Sequence, residues 1–138
     1  MHFTADITVR FAQVDAAAIV FYPRYLEMVN ETVERWFEEG LGIGFLELLH
    51  VRRRGAPTKR IAVEFLKPSR LGDKLTLTLR VVKVGRSSFD LEIGCACAGE
   101  ARFKASATLV YTSFEPLEPM PIPEDLRQRM LTYTTAEP

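Results

Sequence analysis

Asp15 is the residue of this chain whose surroundings ask for a chemical reason. It lies in Val14-Asp15-Ala16-Ala17-Ala18-Ile19-Val20-Phe21-Tyr22-Pro23-Arg24-Tyr25, one carboxylate beside an otherwise apolar run, and burying an acid without a partner costs free energy. A turn or helix-capping aspartate is one account of it. The other is chemical: a carboxylate ionised near neutral pH can act as general base for water, or attack a carbonyl carbon itself and form a mixed anhydride. Either route needs a partner that stabilises the oxyanion developing on that carbonyl. Pro23 suits the first turn of a helix, where its missing N–H is not needed. A helix starting near Tyr22 and Pro23 offers free N–H groups and the positive end of its dipole.

Other chemistries find little material. Cys95 and Cys97 are the only cysteines, two apart in a stretch that alternates like a strand, and they build neither a four-cysteine zinc site nor a disulfide framework. They read as small core residues of a cytoplasmic protein. His2 and His50 are isolated, and no metal-ligand set is expected.

The elements that must position Asp15 follow from periodicity. Ile7, Val9 and Phe11 alternate with Thr8 and Arg10, which predicts a first strand ending just before Asp15. Leu26, Val29, Val33 and Trp36 or Phe37 recur at helical spacing with Glu27, Asn30, Glu31, Glu34 and Glu38 opposite, and Gly40 and Gly42 close that amphipathic helix. A short helix and loop follow around Phe45 to Leu49. Strands are expected at Ile61–Leu66, through Leu75 to Val81, from Phe89 to Cys97 and from Phe103 to Tyr111, with turns at Gly85-Arg86-Ser87 and Gly99-Glu100. The segment Lys67-Pro68-Ser69-Arg70-Leu71-Gly72-Asp73 is an irregular connection. A short helix is expected at Glu124 to Met130. One helix followed by a meander of long antiparallel strands predicts an α+β domain with the helix on one face of a curved sheet.

With 138 residues, 47% of them hydrophobic, and eight prolines, the chain fits one compact domain spanning 1–138. Lys plus Arg equals Asp plus Glu at 18 each, which leaves no electrostatic footprint for duplex nucleic acid or an anionic membrane. Arg52-Arg53-Arg54 with Lys59-Arg60 reads as a solvated basic loop. Residues 1–6 lack the pattern of a signal peptide, and no apolar stretch approaches transmembrane length, so a cytoplasmic location is expected.

The Asp15 segment resembles the signature of the hotdog-fold acyl-CoA thioesterases of the 4-hydroxybenzoyl-CoA thioesterase type, Phe-Gly-Asp-x-Asp-x-x-Gly-Ile/Val-Val-x-Tyr/His-x-x-Tyr. Phe11, Asp15, Ile19, Val20, Tyr22, Pro23 and Tyr25 stand in register with it. Val63 to Asp73 is similar to the strand-and-bulge segment of that family, and Gly85-Arg86-Ser87-Ser88-Phe89 to its turn that meets the phosphates of coenzyme A. The resemblance, running from Ile7 to Phe114, implies a hotdog fold, a curved antiparallel sheet wrapped around one long helix. It implies hydrolysis of a small acyl- or aroyl-CoA to free acid and coenzyme A, with no cofactor beyond the coenzyme A carried by the substrate. Asp15 would be the catalytic carboxylate and the Tyr22 N–H the oxyanion donor. Arg86, Ser87, Ser88 and Arg70 would meet the coenzyme, arginine being able to bind phosphate bidentately.

The family works as dimers, often paired into tetramers, with the site at a subunit interface. An exposed apolar stripe on the helix and long edge strands would serve that assembly. Two departures from the pattern matter: Gln13 replaces the first acid, and Ala18 replaces a glycine that would permit positive φ. These departures keep open a non-hydrolytic acyl-CoA or acyl-carrier binding module on the same fold. A hotdog hydratase or dehydratase would need an active-site histidine that neither His2 nor His50 supplies. Phe21, Phe45 and Trp36 are candidates for an aromatic acyl pocket or for ordinary core packing.

Overall fold

Alternation of apolar and polar residues builds the sheet. In the computed structural model, which describes residues 1–134, the strands are β1 (Phe3–Thr8), β2 (Arg54–Gly55), β3 (Thr58–Phe65), β4 (Lys74–Val84), β5 (Ser88–Cys97), β6 (Glu100–Val110), β7 (Thr112–Phe114) and β8 (Leu117–Pro119). Five of them form an antiparallel sheet in the order β1-β4-β5-β6-β3, and β2-β7-β8 form a small second sheet. Leu75, Leu77, Leu79 and Val81 of β4, Phe89, Leu91, Ile93 and Cys95 of β5, and Phe103, Ala105, Ala107 and Leu109 of β6 all point into the core. Cross-strand pairs such as Leu77 with Cys95 and Leu79 with Ile93 hold the register. Burial pushes the Cys95 thiol up to about 12, so it behaves as a small apolar side chain.

Helix α1 (Pro23–Arg35) lies on that apolar face and buries Tyr25, Met28, Val29, Thr32 and Val33. It continues through one π-helical turn, Trp36–Gly40, in which the Leu41 N–H reaches back to the Trp36 carbonyl at 2.8 Å. Trp36 and Phe37 each meet the Phe89 ring at 6.2 Å, and Tyr25 meets Phe103 at 4.9 Å, which ties both ends of the helix to the sheet. Helix α2 (Glu124–Leu131) buries Leu126 and Met130, and Tyr133 stands edge-on to Trp36. Among the described residues, no helix is long and apolar enough to cross a membrane.

The structure corrects two expectations. Strand β1 stops at Thr8: the Val9 N–H bonds to the Asp73 carbonyl, and Phe11–Gln13 close a 3-10 turn that leaves Phe11 82% exposed. The apolar stripe of α1 is not exposed, because its own sheet covers it. The exposed apolar residues lie instead on the edge strand β3 and around the start of α1, including Ile61, Phe65, Phe21 and Tyr22.

Candidate active site

Asp15 opens a tight hairpin. Its N–H donates to the Ile19 carbonyl at 2.9 Å, its own carbonyl accepts from the Ala18 N–H at 2.9 Å, and Val14 pairs with Val20 across the base. The carboxylate Oδ1 accepts from the Ala17 N–H at 2.8 Å. Asp15 is thus a turn aspartate, but that role engages one oxygen. Oδ2 has no partner among the described residues, and the side chain is exposed.

Both departures from the family pattern find a structural reason. Gln13 Oε1 accepts from the Arg10 N–H at 2.8 Å and its carbonyl accepts from the Phe21 N–H at 3.0 Å, so an amide serves the turn without a charge. Ala18 adopts φ 62°, the backbone a glycine would take there. The hairpin keeps its shape, and the alanine bears the strain.

The backbone beyond the hairpin leaves one donor over. At the start of α1 the Arg24 N–H bonds to the Phe21 carbonyl at 2.9 Å and the Tyr25 N–H to the Tyr22 carbonyl at 3.1 Å, while Pro23 has no N–H. The Tyr22 N–H has no acceptor among the described residues. It sits at the positive end of α1 and is one residue from the Phe21–Gln13 bond that closes the hairpin containing Asp15.

The connection 66–73 forms a strap beneath this loop. The Val20 N–H donates to the Ser69 carbonyl at 2.9 Å, the Leu71 N–H donates to the Ala18 carbonyl at 3.1 Å, and Arg70 pairs with Ile19. Buried Tyr25 accepts the Ser69 N–H on its hydroxyl at 3.1 Å. Arg70 therefore stands beside the Asp15 hairpin, with an exposed side chain. Asp73 closes the strap on itself by accepting the Arg70 N–H at 2.9 Å. That bond first, and then the Arg102 guanidinium, holds its carboxyl below the usual aspartate value.

Arg86, Ser87 and Ser88 occupy the opposite end of the sheet. Strand β4 carries the strap at its start and the Gly85–Ser88 turn at its end, and its eleven residues span roughly 35 Å. The turn is fixed by Gly85 N–H to Ser88 carbonyl at 2.7 Å, Tyr111 N–H to Ser87 carbonyl at 2.7 Å and Ile122 N–H to Arg86 carbonyl at 2.9 Å, with the Arg86 side chain exposed. One chain brings Asp15, Tyr22 and Arg70 together and leaves Arg86, Ser87 and Ser88 apart from them.

Of the three aromatic candidates only Phe21 faces the site. Trp36 is fully buried, and Phe45 packs on Phe37 with ring centroids 5.3 Å apart. The Phe21 ring meets Tyr22 at 5.6 Å, and Tyr22 meets Phe65 at 6.0 Å. These three rings are 50%, 59% and 47% exposed, a continuous aromatic edge beside the free N–H. Phe65 joins it from β3, more than forty positions away in sequence, and no local pattern marks it. A groove of about 690 Å³ lies elsewhere, on the outer face of the sheet between Glu64, Thr78, Arg80, Glu92 and Lys104. Ala62, Val63 and Ile93 line it along with these polar residues, and it contains neither Asp15 nor Tyr22. Among the described residues, no three His, Cys, Asp or Glu side chains cluster as a metal site would need.

Comparison with known proteins identifies the family and the fold. The family model of the thioesterase-like superfamily matches residues 9–130, and the chain belongs to that superfamily. Its sheet wrapped on α1 is the hotdog fold, and the chain is a thioester hydrolase. It is 28% identical over 122 residues to the 1,4-dihydroxy-2-naphthoyl-CoA hydrolase of Acaryochloris marina, covering 86% of this chain and 88% of that one. It is 27% identical over 132 residues to the enzyme of the same name from Nostoc punctiforme, covering 96% and 88%. Among solved structures, a 1,4-dihydroxy-2-naphthoyl-CoA thioesterase from Synechocystis superposes with a TM-score of 0.86 at 20% identity, covering 95% of this chain and 96% of that one. A gentisyl-coenzyme A thioesterase does so with 0.85 at 26% identity, covering 93% and 99%.

Two stability measurements check the loop. Ala18→Gly should raise the free energy of unfolding by about 0.5–1 kcal/mol, read from the urea midpoint, because relief of the left-handed strain exceeds the entropy glycine adds to the unfolded chain; a less stable variant would mean the alanine is not strained. Because the Asp73 pKa is lowered on folding, its ionised form favours the native state: that stability is fully present above about pH 5 and is lost as pH falls through the lowered value. Asp73→Asn should therefore be less stable than wild type by on the order of 1–3 kcal/mol at pH 7. The gap should close on acidification, and a gap independent of pH would contradict the assignment.

Proposed function

We propose that this chain hydrolyses an acyl-CoA thioester, with Asp15 as the carboxylate that activates water or attacks the carbonyl and the Tyr22 N–H as the oxyanion donor. The observation that carries this reading is two groups without a partner among the described residues, Asp15 Oδ2 in the hydrogen-bonded hairpin and the Tyr22 N–H one residue past its closing bond. As general base, Asp15 takes a proton from water; the hydroxide adds to the thioester carbon, and the oxyanion rests on the Tyr22 N–H at the positive end of α1. Collapse of that intermediate breaks the C–S bond and expels the coenzyme A thiolate, which takes up a proton. As nucleophile, Asp15 forms a mixed anhydride with loss of the same thiolate, and water then cleaves the anhydride.

The aromatic edge of Phe21, Tyr22 and Phe65 supports an aroyl group as the acyl part, since a flat ring gains most from edge-to-face contact with such rings. The relatives above carry aromatic acyl groups in their names. The unbound thiols Cys95 and Cys97 suit a cytoplasmic setting.

The coenzyme contacts come from a second copy in a homodimer. Strand β3 has β6 on one side and an open edge on the other. Antiparallel pairing of two such edges sets the Phe65 end of one chain, next to Tyr22, beside the Thr58 end of the other. Thr58 pairs with Leu109, which pairs with Phe89 next to Ser88. Asp15 and Tyr22 of one subunit thereby face the partner's Arg86, Ser87 and Ser88, with Arg70 alongside from the first chain. Two such dimers could pair further into a homotetramer.

Asp15→Asn keeps the shape and the Ala17 contact while removing the base or nucleophile, so the rate of thiol release from a benzoyl-CoA should fall on the order of hundredfold or more in a folded sample. Near-normal turnover would reject the assignment. Arg86→Ala should lower kcat/KM roughly tenfold for the CoA ester and scarcely for the same acyl group on pantetheine, with the loss shrinking as salt rises. Equal losses on both substrates would remove Arg86 from the coenzyme site.

A further inference from the structure

Arg102, on β6, touches nothing that reacts, yet it holds the strap at both ends. Its side chain is only 11% exposed. Nη1 donates to Asp73 Oδ2 at 2.8 Å and to the Pro68 carbonyl at 3.1 Å, and Nε lies 2.9 Å from Glu100 Oε1. The Arg102 carbonyl also accepts the N–H groups of Leu66 and Lys67, at 2.9 and 3.2 Å, so the chain enters the strap already fastened to β6. Between Pro68 and Asp73 lie the two rungs that carry the Asp15 hairpin: Val20 N–H to Ser69 carbonyl and Leu71 N–H to Ala18 carbonyl. Asp73 further accepts the Val9 N–H on its carbonyl at 2.9 Å, and the Gly72 N–H reaches the Val9 carbonyl at 3.0 Å. The chain segment that leads into the hairpin is therefore tied to the same strap as the hairpin itself.

We infer that Arg102 is a positioning residue for the reaction: its clamp on Asp73 and Pro68 fixes the strap, and the strap fixes the Asp15 carboxylate against the Tyr22 N–H. This rests on the reading that Asp15 carries the chemistry. Both bonds leave Nη1 while Nε faces Glu100, and the rigid guanidinium plane fixes their directions, which a freely rotating ammonium does not. The clamp closes across 29 residues of sequence between Asp73 and Arg102, so it connects the rigid β6 to an otherwise irregular loop.

The test compares Arg102→Gln and Arg102→Lys with wild type in the full chain, by steady-state kinetics on benzoyl-CoA and by amide hydrogen exchange. In Arg102→Gln the Val20 and Leu71 amides should exchange faster while those of β4 and β5 keep their protection. In the same variant kcat should fall roughly ten- to hundredfold with KM changed less than about twofold, because misplacement of reacting groups acts on the chemical step. Arg102→Lys, which keeps the charge but not the fork, should fall between the two. Unchanged exchange at Val20 and Leu71 would overturn the inference, as would faster exchange there with wild-type kcat, or a loss of protection spread evenly through the sheet. The exchange readout does not depend on turnover, so a chain that hydrolyses no CoA thioester would refute the functional reading while the mechanical link is still decided. If Arg102→Gln does not fold, Arg102→Lys and Asp73→Asn carry the same two measurements.

Discussion

Asp15 and the Tyr22 N–H, seven positions apart on one chain, come to one place only if the backbone between them folds back on itself. The bond from the Phe21 N–H to the Gln13 carbonyl closes it here. It forces the chain leaving the hairpin to enter α1 at once, with Pro23 in the first turn. Arg24 and Tyr25 spend their N–H groups within the turn, proline has none, and Tyr22 is left with a donor that no group takes among the described residues. The free N–H is thus a consequence of helix geometry and of proline at one position, and needs no side chain to create it. Its direction depends on α1 being held, which the Tyr25–Phe103 and Trp36–Phe89 ring contacts accomplish from opposite ends of the helix.

The second constraint is length. Strands long enough to wrap α1 carry the Gly85–Ser88 turn far from the Asp15 hairpin, so the proposed site, which uses both, would draw on two chains. The edge strand β3 is open: its residues are exposed or half-buried along its whole length, and Ile61 and Phe65 add apolar surface to an unpaired row of backbone groups. Lys59, Arg60 and Glu64 on the same strand guard it against indiscriminate pairing.

Much of this was legible in the sequence, for identifiable reasons. The period of two through β4, β5 and β6 and the period near 3.6 from Pro23 to Phe37 are strong because each element buries one face. The Asp15 segment stood out because an acid in an apolar run is unusual. What stayed hidden depends on long-range contact. Phe65 joins Tyr22 only through the pairing of β3 with β6, and the grip of Arg102 on Asp73 is an ion pair between two ordinary surface residue types. The alternation of Ile7, Val9 and Phe11 continues past the true end of β1, because what stops the strand is the bond between Val9 and Asp73. The short strands β2, β7 and β8 carry too few residues to show any period.

Mixing subunits tests the shared site most directly. Asp15→Asn and Arg86→Ala chains, unfolded together and refolded as a mixture, form hybrid dimers that contain one undamaged site if Asp15 of one chain works with the partner's Arg86. Activity on benzoyl-CoA below KM should then rise several-fold above the average of the two parent variants. Activity equal to that average would place both residues in a site within one chain, or separate them altogether, and would contradict the account.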